Sequence, residues 1–212
     1  VQHNMTSQSE DNILWFFEGR YFPVNGLQFY GTFMIDELRT SEMFKDWFGN
    51  RWAAQAGTHA VGNFFSFPAD LRIEWTAARP WAYTHRVPLY GTYTHNARSL
   101  GFNHGPNAQL LLIENRWWVN TQSRFNITFQ QLKRGIEPEE DVGDGADFGN
   151  DPNHNYTTLS VNVNAENKYE YNTGWLIGDI ITTKRIKLLW EYQFSNIIGM
   201  EFGFEHIKEV DE

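Results

Sequence analysis

The chain has 212 residues, of which 41% are hydrophobic and 17% aromatic, and its formal net charge is -9. This acidic balance argues against a nucleic-acid partner, because neutralising phosphates needs clustered lysine and arginine. The chain has no cysteine, which excludes disulfides and thiolate chemistry, and no stretch reaches the roughly 20 apolar residues of a transmembrane helix.

Apolar and polar residues alternate along much of the chain, which predicts strands with one apolar and one polar face. In chain order, the regular alternating segments are 12–22, 26–38, 70–78, 123–131, 156–165, 185–194 and 198–206. The less regular candidates are 50–60, 108–119 and 173–182. The sequence therefore predicts about ten strands.

The links between these strands fall into two length classes. The short links are predicted at 23–26, 67–70, 120–123, 182–184 and 194–196. The long loops are predicted near 38–50, 84–107 and 134–155. Short turns at one end of the strands and long loops at the other are typical of outer-membrane barrels.

Strand length and charge placement indicate what the apolar face contacts. A strand that crosses a membrane needs roughly 9–11 residues, whereas strands of soluble proteins average about 5–6. Charged residues lie mostly on the polar parity, where a barrel has its lumen, and Lys or Arg facing lipid costs roughly 2–4 kcal/mol. The nine tryptophans and nine tyrosines suit membrane interfaces or carbohydrate sites. The pattern favours a transmembrane β-barrel, with a soluble β-sandwich as the alternative.

Several segments resemble one known family. The stretch WAYTHRVPLYGTYTHNARSLGFNHGPNAQLL at 81–111 resembles a segment of capsule-assembly outer-membrane proteins (the Wzi-like family), in which a Tyr-Thr strand end precedes a Leu-Gly, a His and a Gly-Pro-Asn-Ala turn. LQFYGTFMIDEL at 27–38 is similar to that family's strand ending in an acidic pair, and the strand order from 49 to 85 also follows the family.

The resemblance implies a monomeric, many-stranded outer-membrane barrel that acts as a lectin-like anchor for capsular polysaccharide. This chain departs from the family in two ways: about ten strands are too few for the full barrel, and the tail EHIKEVDE lacks a terminal aromatic residue. We therefore expect an all-β, antiparallel transmembrane β-barrel over 1–212, either a single domain or the C-terminal part of a larger barrel. The expected location is the bacterial outer membrane, in contact with the lipid bilayer, surface polysaccharide and other envelope proteins.

The loop 84–107 carries the residue types best suited to a glycan, because sugars bind by stacking on aromatic rings and by hydrogen bonds to Asn, Arg and His. The candidate glycan-binding residues are Tyr90, Tyr93, Arg98, Asn103 and His104. The three histidines of this loop fit no zinc-ligand spacing. The plainer alternative is a polar loop that folds over the barrel and binds nothing.

The acidic, glycine-rich segment 137–153 is the other place where a ligand could bind. Asp144, Asp147 and Asp151 could supply oxygen ligands to calcium, but their spacing does not match an EF-hand loop. A solvated surface loop is the favoured interpretation. We therefore expect no metal and no cofactor.

Catalysis has little support in the sequence. Walker, Rossmann and Gly-Xaa-Ser-Xaa-Gly patterns are absent. Glu74, Glu191 and Glu201 could act as paired carboxylates in glycoside hydrolysis, but glutamate beside arginine more often forms structural ion pairs. We expect a non-enzymatic outer-membrane protein for the assembly or attachment of capsule or surface polysaccharide. The alternatives are a pore or transporter for small solutes, and a soluble glycan-binding β-sandwich or glycosidase.

Overall fold

The computed structural model describes residues 13–37, 41, 45, 47, 49–84, 92–96, 98–136, 149–152, 174–195 and 197–211. Within these residues, eight strands form one large sheet: β1 (Trp15–Val24), β2 (Leu27–Glu37), β3 (Arg51–Phe64), β4 (Phe67–Ala78), β7 (Ala108–Trp118), β8 (Ser123–Ile136), β9 (Asp179–Gln193) and β10 (Gly199–Asp211). Two short strands, β5 (Thr94–His95) and β6 (Arg98–Ser99), form a separate hairpin. No helix in the described part is long and apolar enough to span a bilayer.

The large sheet is an antiparallel meander in the order β1-β2-β3-β4-β7-β8-β9-β10. Each strand of this sheet pairs with the strand of the same sheet that follows it in the chain, so β1 and β10 form the two edges of the sheet within the described residues. The connection from β4 to β7, residues 79–107, holds the small hairpin, and its described part is called the cap below. The expectation of an all-β, antiparallel fold is confirmed.

Two of the predicted links are wrong. The link at 182–184 is instead the interior of β9, where Thr182 and Thr183 pair with both β8 and β10, in keeping with the preference of β-branched residues for strands. The segments 173–182 and 185–194 therefore contribute to a single strand. The link at 67–70 lies two residues too late, because the turn is at Phe65 and Ser66, which both adopt positive φ. The predicted strand 156–165 lies outside the described residues.

The continuous register assigns every strand side chain to one of two faces, because alternate residues point to opposite sides of a sheet. The apolar face carries most of the large hydrophobic side chains: Phe17, Phe29, Phe33, Trp75, Ile113, Phe125, Ile127, Ile186, Leu188, Trp190, Phe202 and Phe204. The polar face carries most of the charged ones: Glu18, Arg20, Arg72, Glu74, Glu114, Arg116, Arg124, Arg185, Lys187, Glu191, Glu201 and Glu205.

The buried core lies on the polar face, at the end of the sheet that bears the cap. A row of four side chains from adjacent strands packs there against three residues of the cap. The row is Met34, Ala53, Ala78 and Ala108, and the cap residues are Ala82, Tyr83 and Phe102. The three alanines of the row leave room for the cap to approach the sheet closely.

The apolar face, by contrast, remains largely exposed. Leu188 near the centre of β9 is 42% exposed and Phe204 beside it on β10 is 61% exposed. The rings of Phe125, Trp190 and Phe202 stack across three strands, with centroid separations of 6.0 and 5.5 Å. Near the cap end, Trp175 packs edge-on against Trp75 of this face, with ring centroids 5.5 Å apart. A contiguous apolar surface of this width is unusual on a monomeric soluble protein.

Candidate functional site

Tyr83 anchors the cap to the sheet. Its backbone N–H donates a hydrogen bond to Asp36 Oδ2 over 2.8 Å, and its hydroxyl oxygen accepts one from the Phe102 N–H over 3.2 Å. Its ring packs against Tyr93, which in turn packs against Phe16 of β1, each pair with centroids 6.0 Å apart. Burial raises the pKa of Tyr83 to about 12, so its hydroxyl stays protonated.

Asn107 ties the end of the cap to the segment before β9. Its side-chain amide donates to the Ile177 carbonyl and its Oδ1 accepts from the Ile177 N–H, both over 3.0 Å. Its carbonyl accepts a third hydrogen bond, from the Gly135 N–H, over 2.9 Å. Glycine is required at 135, because a Cβ there would clash with the Ile177 carbonyl and the Asn107 amide. The cap is therefore fixed at both ends.

A cleft of about 310 Å³ lies between the cap and the polar face. Its floor is a row of three polar side chains from adjacent strands, Thr32, Gln55 and Thr76, together with Glu74. Its roof comes from the cap: Tyr83, Gly101, Phe102, Asn103 and His104. The apolar part of its lining is Phe16, Met34, Ala53, Ala54 and Leu110. The cleft thus combines hydrogen-bonding groups with aromatic and aliphatic surface, as small-molecule sites do.

Glu74 is the charged carboxylate of this lining, and its side chain is only 8% exposed. One of its oxygens, Oε2, accepts hydrogen bonds from the Tyr30 hydroxyl over 2.6 Å and from Arg72 Nη2 over 2.5 Å. Arg72 Nε also donates to the Tyr30 hydroxyl oxygen over 3.2 Å. These three hydrogen bonds fix the carboxylate in place. Arg72 compensates its negative charge at Oε2, and Oε1 takes no part in these bonds.

The rest of the polar face is lined by similar ion pairs. Arg116 contacts Glu114 over 3.0 Å, Arg124 forms a two-pronged pair with Glu191, and Arg185 contacts Glu205 over 3.3 Å. Glu191 and Glu201 sit directly opposite each other on β9 and β10, but Glu74 lies in a different cleft. The three glutamates considered for glycoside hydrolysis are therefore not brought together, and two of them pair with arginine.

The structure divides the five predicted glycan-binding residues. Asn103 and His104 line the cleft, and Tyr93 packs behind its roof through Tyr83. Arg98 lies exposed on β6, opposite His95, and does not line the cleft. Tyr90 lies outside the described residues, as do Asp144 and Asp147.

Asp151, the third calcium candidate, is half-buried beside Gly149 and Asn150. Within the part of the chain that the structure describes, no three His, Asp or Glu side chains are grouped so that they could hold a metal ion. Sequence reasoning missed Thr32, Gln55 and Thr76. The alternating pattern of the sequence places all three on the polar face, but only the strand register shows that they are neighbours.

His104 should make the cap sensitive to acid. Its half-buried ring packs edge-on against Phe102, and burial, followed by the charges of Arg134 and Arg185, lowers its pKa below the ordinary value of about 6.5. Protonation therefore favours the unfolded cap. The contribution of neutral His104 to the stability of the cap is fully present above about pH 6.5 and is lost as the pH drops below that value. We expect limited proteolysis of the cap to accelerate at about pH 5.5 relative to pH 7.5.

The control for this prediction is His104→Gln, digested in parallel at each pH. The ratio of wild-type to variant cleavage rates cancels the pH response of the protease itself. The ratio should rise at the lower pH, and a ratio that is the same at both values would contradict the assignment.

The chain matches no protein-family model, no curated protein and no solved structure. Its class is defined by the fold and the cleft: an antiparallel β-sheet protein with an exposed apolar face and a capped, ion-paired polar face.

Proposed function

We propose that this chain forms the wall of a transmembrane β-barrel in the bacterial outer membrane, wholly or in part, and that it attaches or assembles a surface polysaccharide. In this proposal the apolar face contacts lipid and the polar face lines the lumen. The cap and its cleft lie at the lumen mouth and contact the glycan. The role is binding rather than catalysis.

The exposed apolar face is the observation that carries the membrane proposal. Side chains such as Ile127, Leu188 and Phe204 form a contiguous surface across neighbouring strands, which would be an aggregation hazard in water. The strands of the large sheet have 10 to 15 residues, enough for the roughly 9–11 that cross a bilayer at the usual tilt.

The charges on the apolar face support the same orientation. Lys133, Lys184 and Lys208 lie on this face, toward the strand ends nearest the cap. A lysine near the interface costs about 0–1 kcal/mol, compared with about 2–4 kcal/mol at the bilayer midplane. These three lysines are therefore compatible with lipid contact if the cap end lies at the membrane surface.

The edges of the sheet bear on how a barrel would close. With eight strands in an antiparallel meander, β1 and β10 run in opposite directions, as neighbouring strands of a barrel wall do. Every residue of β10 is exposed. Free edges of this length invite pairing with other strands, so closure by pairing at both edges fits the proposal.

The polysaccharide role is supported by the composition of the cleft and by the resemblance of 81–111 to capsule-assembly proteins. Aromatic rings beside amide, hydroxyl and imidazole groups are the set a sugar needs. The cap also folds over part of the polar face, which favours a plugged barrel over an open pore.

Membrane partition is the experiment that tests this proposal. The chain should fractionate with outer membranes, resist extraction by carbonate and urea, and refold into vesicles with heat-modifiable migration on a gel. A soluble lectin should instead stay monodisperse without detergent and show no such migration. Recovery of a monodisperse, folded chain from the aqueous phase would overturn the proposal.

A pore for small solutes is the second candidate, and the ion-paired polar face favours it. Conductance in planar bilayers separates the two. A plugged anchor should give little or no steady current, whereas a water-filled pore lined by Arg116, Arg124 and their partners should conduct and show charge selectivity.

A further inference from the structure

We propose that the cleft between the cap and the polar face binds an uncharged glycosyl unit, whose hydroxyls are held by Thr32, Gln55, Thr76 and Glu74. This inference rests on the proposed polysaccharide function and adds the class of sugar and the residues that select it. Three observations carry it: unused hydrogen-bonding groups, a fixed carboxylate and the absence of lysine and arginine from the described part of the lining.

The floor of the cleft offers hydrogen-bonding groups that the protein itself does not use. Thr32, Gln55 and Thr76 lie directly opposite one another on three adjacent strands, and all line the cleft. Within the described residues, none of the three side chains makes a hydrogen bond to another protein group. Together they present hydroxyl and amide groups that both donate and accept, which matches the hydroxyls of a sugar.

Glu74 completes the floor with an acceptor that is fixed in place. Tyr30 and Arg72 hold Oε2, while Oε1 has no hydrogen-bond partner among the described residues. The side chain is more than nine-tenths buried and lines the cleft. A carboxylate oxygen held in this way can accept a hydrogen bond from a sugar hydroxyl, and the Glu74 side chain loses little further conformational entropy when the sugar binds.

The same carboxylate disfavours an acidic sugar. The described residues of the cleft lining include no lysine or arginine, so a uronate bound against Glu74 would bring two negative charges together without one of these cations between them. Arg72 lies behind the carboxylate and is already hydrogen-bonded to it. Arg134 and Arg185 act on His104 but do not line the cleft, and Arg185 pairs with Glu205.

The apolar lining suits the C–H face of a sugar ring. It includes Phe16 of β1, Phe102 of the cap and Leu110 of β7. The volume of about 310 Å³ is at the lower end of the range for small-molecule sites. The site therefore suits a short piece of a glycan chain.

The test measures binding to the full chain folded in detergent, with two matched probes. The first is an oligomer of galacturonate, and the second is the same oligomer after reduction of its carboxyl groups. We expect the neutral probe to bind at least tenfold more tightly than the acidic one. Tighter binding of the acidic probe, or no binding of the neutral probe, would overturn the inference.

Variants assign the binding to the cleft. Gln55→Leu combined with Thr76→Val should weaken binding of the neutral probe at least tenfold without disturbing the fold, because neither side chain has a hydrogen-bond partner among the residues that the structure describes. Glu74→Gln should reduce the difference in affinity between the neutral and the acidic probe. Glu114→Gln is the matched control, since Glu114 is ion-paired on the same face outside the cleft, and it should change neither affinity. Unchanged binding in the double variant would overturn the inference.

Heat-modifiable migration of the same samples distinguishes failure of the cleft assignment from failure of the proposed function. A chain that inserts into membranes but binds no neutral probe overturns the cleft assignment and leaves the barrel standing. A chain that stays folded in water overturns the proposed function itself.

Discussion

Replacing Leu188 with lysine should destabilise the protein folded in lipid bilayers by about 2–4 kcal/mol. Leu188 lies on the apolar face near the middle of that surface, between Ile127 on β8 and Phe204 on β10. A charged side chain there would have to enter the hydrocarbon region or draw water into it. The measurement is urea-induced unfolding from vesicles, followed by tryptophan fluorescence and by heat-modifiable migration.

Leu189→Lys is the matched control, because it makes the same chemical change one residue further along β9. Leu189 points to the polar face, opposite Asn126 and close to Glu191, so a lysine there should change the folding free energy by about 1 kcal/mol or less. Equal effects of the two substitutions would contradict the assignment of lipid and lumen faces. So would a Leu188→Lys chain that folds equally well and dissolves better in water.

Replacing Asn107 with alanine should destabilise the fold by about 2–4 kcal/mol. Asn107 is fully buried, and its side chain satisfies both the N–H and the carbonyl of Ile177. Truncation would leave these two backbone groups without partners in a place where water cannot readily replace them. The expected result is a lower unfolding midpoint, together with faster proteolysis in the segment 174–178 and in the cap.

Asn103→Ala is the control for this substitution. Asn103 lies four residues earlier in the same connection, is exposed and, within the described residues, makes no hydrogen bond to the protein. Its replacement should change stability by less than about 0.5 kcal/mol, although it can affect glycan binding. Similar destabilisation by both variants would mean that the two-sided contact to Ile177 does not hold the cap.

The alternating pattern predicted which residues share a face of the sheet better than it predicted where the strands begin and end. The faces follow from the period of two along each strand, as in β2, where Phe29 and Phe33 alternate with Tyr30 and Thr32. Boundaries depend on what each residue pairs with. Thr182, Thr183 and Lys184 were predicted to form a link, but they lie within β9, which pairs with β8 along one edge and with β10 along the other.

The site was predictable only in part, because it is assembled across strands and from the cap. Asn103 and His104 could be singled out as polar residues of a long loop, and both line the cleft. Arg98 has the same kind of chemistry but sits exposed on β6 and does not line the cleft. Thr32, Gln55 and Thr76 are more than 20 positions apart in sequence, and only the register of β2, β3 and β4 makes them neighbours.

The measurement that tests the central claim most directly is a spin-label scan of β9, which the absence of native cysteine makes straightforward. Single cysteines are placed at residues 185 to 190 and spin-labelled, and each variant is folded in vesicles. The collision rate of each label with oxygen is then compared with its collision rate with a water-soluble nickel chelate. Labels at Ile186, Leu188 and Trp190 should be reached by oxygen and shielded from nickel, and labels at Arg185, Lys187 and Leu189 should show the reverse. Equal access of nickel to both sets would contradict a lipid-facing wall.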